Sequence, residues 1–224
     1  FQITDSKGET HEAKFVILCT GVMDVQPEIG GSIETIFDYA NAQTVDYCLI
    51  CDGHHVLGKK TGVIGHTDSA AWVAIMLHER YQPKSLTIMT HGKSPEFSEA
   101  TAKLVAAYKI RIESSAIVGI EGQEKGKVLK GFTLESGESV ITDITFVSLG
   151  MIVYNELALE VGAAVDERGF VKTDEKGHTS VSGLYVAGDL RANAKKQIYT
   201  AWDQAVDSAN AINQRLRIEK RPKL

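Results

Sequence analysis

Residues 61–90 read TGVIGHTDSA AWVAIMLHER YQPKSLTIMT, and the fold turns on this stretch. A short apolar run, Thr61-Gly62-Val63-Ile64, stops at Gly65. Asp68-Ser69 then opens an apolar-rich segment over 70–77, and a second apolar run, 85–90, follows beyond Pro83. Strand, turn, helix and strand in that order make a βαβ unit, and strands joined by a helical crossover run the same way, so a parallel sheet is predicted. Downstream, 98–108 reads as a second helix, 110–113 as a strand and 119–138 as charged, glycine-punctuated antiparallel strands, with 145–150 as another buried strand. Beyond Gly150 come a helix-like stretch at 155–160, a strand at 170–173 and the apolar run Gly183-Leu184-Tyr185-Val186-Ala187 ending in Gly188-Asp189. An Ala-rich helix over 197–215 closes the pattern. Upstream, a strand at 1–4, a polar turn at Asp5-Ser6-Lys7-Gly8 and a buried strand at 15–19 lead to Thr20-Gly21. A weakly helical link at 33–41 then precedes Tyr47-Cys48-Leu49-Ile50-Cys51-Asp52-Gly53.

Composition agrees with a folded α/β chain. The 224 residues are 43% hydrophobic and 24% charged, close to globular averages and enough for one large domain or two small ones. A net charge of -5 supplies no basic field for nucleic acid or anionic lipid, and no apolar run reaches the ~18 residues of a membrane span. Neither nucleic acid nor membrane is expected as a partner. No charged region and apolar leader precede the first strand, so no secretory signal and a cytoplasmic setting are expected. Three cysteines are too few for a disulfide scaffold and suit a reducing compartment.

Cys48 and Cys51 form a C-x-x-C. Two thiols at this spacing, at a turn or helix start, can close a short disulfide, and a helix N-terminus lowers a thiol pKa toward the thiolate that exchanges with other disulfides. Half of a zinc site and two buried small residues are the alternatives. Zinc needs four ligands, and the chain offers neither a second C-x-x-C nor a histidine pair at finger spacing, so no metal is expected. Asp52, next to Cys51, can carry the proton that an exchanging thiol gives or takes, or it can serve as a turn or cap residue. The turn Gly65-His66-Thr67-Asp68-Ser69-Ala70 keeps the first Gly of a dinucleotide fingerprint and, in Ala70, its closing small residue. Thr67 stands where the middle Gly belongs, and Asp68 puts a negative charge near the phosphate position. After the second strand only Lys93 and His91 could meet a phosphate. Nucleotide binding through Gly65, Thr67, Ala70 and Lys93 and a Rossmann-like domain that has lost its ligand both stay open. Gly188-Asp189 puts a carboxylate at a strand end before a long helix, where it could accept a hydrogen bond from a ribitol or ribose hydroxyl, or act as an N-cap. Cys19, Trp72 and Trp202 read as packing residues.

Taken in order, Cys19-Thr20-Gly21, the Cys48–Gly53 motif, Gly62-Val63-Ile64-Gly65, the 183–189 run and Lys196-Gln197-Ile198-Tyr199-Thr200-Ala201 resemble the low-molecular-weight thioredoxin reductases over nearly the whole chain. The resemblance implies a Rossmann-like, three-layer βαβ domain of pyridine-nucleotide type inserted into a partial FAD-binding domain. Its boundaries would be 1–45 for the first part of the FAD domain, 46–150 for the insert and 151–224 for the second part. It implies that Cys51 lies against FAD, that Cys48 attacks a disulfide on a thioredoxin-like protein or small molecule, and that Asp52 is the general acid. Thr20, Gly21, Gly188, Asp189, Gln197 and Ile198 would contact FAD, and a cytoplasmic homodimer is implied. Three departures accompany it. The family's FAD glycine fingerprint is expected in a segment preceding this chain. The arginine pair that would hold NADPH is missing, so the donor is NADPH, NADH, a ferredoxin-type protein or, running backward as a dithiol oxidase, the substrate dithiol itself. His54-His55 replaces the usual aromatic pair. A redox-sensing module without turnover is the reading from another class.

Overall fold

The computed structural model describes residues 1–222. The chain divides into two compact units, Asp24–Gly150 and Phe1–Met23 together with the chain from Met151 onward. In chain order the elements are β1 (Gln2–Thr4), β2 (Thr10–Glu12), β3 (Val16–Leu18), β4 (Val22–Asp24), α1 (Phe37–Asn41), β5 (Val45–Asp46), α2 (Leu49–Asp52), β6 (Lys60–Ile64), α3 (Asp68–Tyr81), β7 (Ser85–Met89) and α4 (Glu99–Ala107). There follow β8 (Arg111–Glu113), β9 (Ile117–Gln123), β10 (Val128–Leu134), β11 (Ser139–Val140), β12 (Ile144–Val147), β13 (Met151–Val153), α5 (Glu156–Glu160), β14 (Leu184–Val186) and α6 (Ile198–Glu219).

In the unit Asp24–Gly150, a five-stranded sheet runs β5, β12, β6, β7, β8, and every pair in it is parallel. The βαβ unit of the opening stretch is its centre: β6 and β7 pair from Lys60↔Ser85 to Ile64↔Met89, with α3 as the crossover. Successive side chains of a strand point to opposite faces, which builds three layers here. Val63, Ile88 and Phe146 pack with Ala70, Ala74, Ile75 and Leu77 of α3. Their neighbours Ile64, Met89 and Val147 pack with Phe132, Leu134 and Val140 of the antiparallel sheet β9–β10–β11. The architecture is thus mixed α/β with a parallel sheet of Rossmann type. Ile29 and Ile36, assigned by the sequence reading to the far side of a boundary at 45, are fully buried in this second cluster, so the unit starts at Asp24 and not at residue 46.

In the other unit, β1 and β2 make an exposed hairpin whose turn is held by Asp5, its carboxylate accepting the Lys7 and Glu9 N–H groups at 2.9 Å. β3 and β14 pair in parallel, Leu18 opposite Val186. Around them Leu18, Ala158, Ala163, Val171, Leu184, Val186 and Leu190 form a core. Residues 170–173 do not form the expected strand; Val171 makes only isolated bridges, to Val165 and Arg191. β3 stops at Leu18, and Cys19 just past it is exposed. Trp72 (42% exposed) and Trp202 (70%) are likewise outside the core, because each lies on the outward face of an Ala-rich helix. Among the described residues no helix is long and apolar enough to cross a membrane.

Candidate active site

The C-x-x-C leaves the C-terminal end of the edge strand β5. Cys48 is in extended conformation as the N-cap of α2, and its sulfur accepts the Cys51 N–H at 3.2 Å. Cys48 and Cys51 are joined as a disulfide with their Cα atoms 5.3 Å apart. Cys51 is exposed, Cys48 and Asp52 are half-buried, and Ile50 between the cysteines is 80% exposed. The helix of the sequence reading is one turn of four residues, so its aligned dipole is small and does little for a thiolate. Gly53 fixes the turn against α3: a Cβ there would lie 2.7 Å from the Tyr81 ring and 3.3 Å from Leu49 Cδ1. Leu49, Ile50, Met76 and Tyr81, with Glu79 and Arg80, line a groove beside the disulfide.

Two further groups at this turn escaped the sequence reading. Asp46, 4% exposed, accepts a hydrogen bond from His55 Nδ1 at 2.9 Å. Burial pushes the Asp46 carboxyl above its ordinary range and the charge of Asp52 adds to that, while the His55 bond and Lys59 pull the other way. The His54 ring packs on His55 at 4.4 Å between centroids. Beside them burial pushes the Tyr47 hydroxyl up to about 12, and it donates to Gln26 Oε1 at 2.5 Å. The signal in the sequence is a carboxylate two residues before a C-x-x-C and a histidine four after it.

Gly65, Thr67, Ala70 and Lys93 lie at the C-terminal edge of β6 and β7. The order in which the chain lays down strands reverses between β6 and β12, the position where open α/β sheets leave a ligand crevice. A Cβ on Gly65 would lie 2.4 Å from the Ser148 carbonyl oxygen and 2.6 Å from Ala70 Cβ, so the packing of β12 and α3 accounts for both small residues. The His66 carbonyl accepts the Glu96 N–H at 2.7 Å, which lays the segment after β7 over the turn. Asp68, first residue of α3, accepts the Ser98 N–H at 2.7 Å and the Thr101 hydroxyl, and these bonds, Thr101's the largest, hold its carboxyl below the ordinary range. A carboxylate fixed at a helix N-terminus occupies the positive potential that an anion would need. Lys93 is exposed. His91 is committed elsewhere, its Nδ1 accepting the Ile117 N–H at 2.9 Å and its Nε2 bonded to the Glu28 carbonyl at 3.1 Å.

The other unit gathers Thr20, Gly21, Gly188, Asp189, Gln197 and Ile198 at one end of the β3–β14 pair. Thr20 donates its hydroxyl to the Tyr154 carbonyl at 2.5 Å, and Gly21, in the left-handed region at φ +69°, has open space where a Cβ would stand. Gly188, at φ +80°, turns the chain sharply after β14 and donates its N–H to Gln204 Oε1 at 2.8 Å. Lys196, whose ammonium burial pulls below its ordinary value, donates to the Asp189 carbonyl at 2.7 Å. Gln197 is the N-cap of α6, and Ile198 (71%), Tyr199 (63%) and Trp202 (70%) present apolar surface on its first turns. An open glycine approach, the half-buried Asp189 at a strand end and an apolar helix start together fit the polyol and ring of a flavin.

The protein-family model described as pyridine nucleotide-disulphide oxidoreductase matches residues 1–209. Thioredoxin reductase of Mycoplasma genitalium is 31% identical over 206 residues, covering 87% of this chain and 61% of that protein. Among solved structures, thioredoxin reductase of T. acidophilum is 29% identical with a TM-score of 0.57, over 90% of this chain and 65% of that one. The putative thioredoxin reductase TrxB of Bacillus anthracis is 21% identical with a TM-score of 0.82, over 98% and 70%, a likeness of fold. The chain spans about three fifths of the length of the curated relatives it matches, 61–62% for the first three.

Proposed function

Because the chain belongs to the pyridine nucleotide-disulphide oxidoreductase family, we propose that it works as an FAD-dependent thiol–disulfide oxidoreductase similar to thioredoxin reductase. The observation that carries this reading is the Cys48–Cys51 disulfide at a sheet's C-terminal edge with Asp52 beside it. A bound flavin would supply reversible two-electron exchange with this disulfide, and Thr20, Gly21, Gly188, Asp189, Gln197 and Ile198 are the residues we assign to hold it. In the dithiol state, Cys48 as thiolate attacks one sulfur of a partner disulfide and displaces the other. Cys51 then attacks the Cys48 sulfur, giving its proton to Asp52 and closing the Cys48–Cys51 bond while the partner's second thiolate leaves. The two protons of the dithiol end on the partner's two sulfurs. A thioredoxin-like protein or a small disulfide suits the groove of Leu49, Ile50, Met76 and Tyr81. A cytoplasmic homodimer is our reading by likeness to the thioredoxin reductases.

The Asp68 clasp favours a second statement about the donor: electrons arrive otherwise than from NADPH or NADH seated at the Gly65 turn. A ferredoxin-type donor, or a substrate dithiol with oxygen as final acceptor, satisfies that constraint. Anaerobic mixing of the flavoprotein with a dithiol and, separately, with each nucleotide tests both statements. The dithiol is expected to bleach the flavin in the wild type and not in Cys48→Ser or Cys51→Ser, and the nucleotides to act at least roughly 100-fold more slowly than a site retaining its helix-terminus phosphate contacts allows. Bleaching by dithiol in both serine variants would remove the redox pair from the mechanism, and rapid bleaching by either nucleotide would overturn the donor statement alone.

A further inference from the structure

The Asp46–His55 bond closes a loop around the dithiol. Asp46 ends β5 two residues before Cys48, His55 lies in the 3-10 turn Gly53–Val56 four residues after Cys51, and their 2.9 Å contact joins the two ends of the segment carrying the disulfide. A carboxylate oxygen facing Nδ1 requires a donor there, so the neutral ring carries its hydrogen on Nδ1 and leaves Nε2 as acceptor. The His55 side chain is 26% exposed, within reach of solvent protons, whereas Asp46 at 4% is not. The charged groups facing Asp46 are Asp52 from α2, His55 from the 3-10 turn and Lys59 from the turn before β6. From β12, packed beside β5, the residue opposite is Phe146, which carries no charge. Burying a carboxylate costs free energy unless a partner uses it, and this one has a titratable partner in a site whose chemistry moves protons.

Opening or closing a disulfide moves two electrons and two protons, and Asp52 can hold one proton only. Resting on the thiol–disulfide reading above, we propose that His55 holds the second proton of the Cys48/Cys51 couple, with Asp46 as the positioning residue that fixes its tautomer. When the dithiol closes on a partner disulfide, its two electrons go to the partner, one proton passes by way of Asp52 and the other by way of His55 Nε2, and both end on the partner's two sulfurs. When the disulfide opens, both protons return to sulfur. The imidazolium so formed faces the Asp46 carboxylate, so the charge taken up by His55 is balanced inside the turn.

The test is the pH dependence of dithiol–disulfide turnover in the flavoprotein, with dithiothreitol and oxidised dithiothreitol as probes, in wild type, Asp46→Asn and His55→Gln, together with proton release measured in weakly buffered solution. The pH profile of the wild type is expected to change shape in both variants. Each variant should be slower at pH 7 by roughly 10- to 100-fold, the range of a positioned acid–base group. The double variant should be no slower than the worse single one, as for two residues acting as a unit, and prompt proton release to solution on closing the disulfide should rise in both. An unchanged profile, or a loss of equal size at every pH, would overturn the proposal. If one variant fails to fold, the other still decides. The serine variants of Cys48 and Cys51 report separately: activity in them would refute the underlying redox reading, while their inactivity with unchanged Asp46→Asn and His55→Gln profiles would refute only this one.

Discussion

Two glycines near the disulfide differ in what surrounds them. A methyl group on Gly65 would press on the Ser148 backbone oxygen at 2.4 Å, which cannot move without breaking the Ser148 N–H bond to the Ile64 carbonyl at 2.8 Å. On Gly53 it would meet the Tyr81 ring at 2.7 Å, and that ring is half-buried and can swing. Gly65→Ala should therefore destabilise by about 1–3 kcal/mol, the usual cost of overpacking, and Gly53→Ala by less, as read from urea midpoints of the two variants. Equal midpoints would contradict the difference in surroundings. At this scale the sequence discloses what is contiguous. Cys48, Cys51 and Asp52 announce themselves by spacing. Asp46 and His55 are nine residues apart in different elements, each of a common type, and only the turn through α2 brings them to 2.9 Å.

At the level of elements, the opening of α3 matters most. Asp68 is tied to Ser98, the N-cap of α4 whose hydroxyl accepts the Thr101 N–H at 3.3 Å, so one carboxylate joins the starts of two helices. Its proton affinity is lowered by those bonds, from the model-compound value of 3.8. A carboxylate whose folded-state value lies below its unfolded one contributes stability that is present above the unfolded value and is lost as pH falls through the folded one. Asp68→Asn should thus lower the melting temperature at pH 7, and the gap from wild type should begin to narrow as the pH falls below about 4, where the unfolded state takes up the proton, and vanish once the folded state binds it too. A gap that persists at pH 2 would show that the bonds matter through geometry and not charge. The βαβ unit, α3, α4 and α6 were readable because their patterns are local: caps, periodicity and a glycine at the strand end. The two-residue β5 and its pairing with β12 were not, since Val45↔Thr145 and Asp46↔Phe146 join residues a hundred positions apart, which no local pattern encodes. The same distance hid the boundary at Asp24, set by Ile29 and Ile36 finding their partners in β10 and β11.

For the molecule as a whole, the insert leaves and returns at one place. The Val25 N–H donates to the Gly150 carbonyl at 3.0 Å, and β4 pairs with β13, so Asp24–Gly150 starts and finishes side by side. It carries two cores of its own and all five strands of the parallel sheet. Expressed alone, this segment should fold cooperatively and keep the Cys48–Cys51 disulfide, checked by a single unfolding transition and by thiol counting before and after reduction. A fragment that stays unfolded would show that it depends on the rest of the chain. The paired ends also bear on how the split unit can assemble at all. A slack loop as long as the insert would cost roughly 4 kcal/mol of chain entropy to close, yet once the insert has folded its ends are a hydrogen bond apart and the two halves of the outer unit meet as if joined by a short turn. The entropy of closing the disulfide-bearing segment is thereby carried by its own folding, and the outer unit meets only the small cost of a short connection.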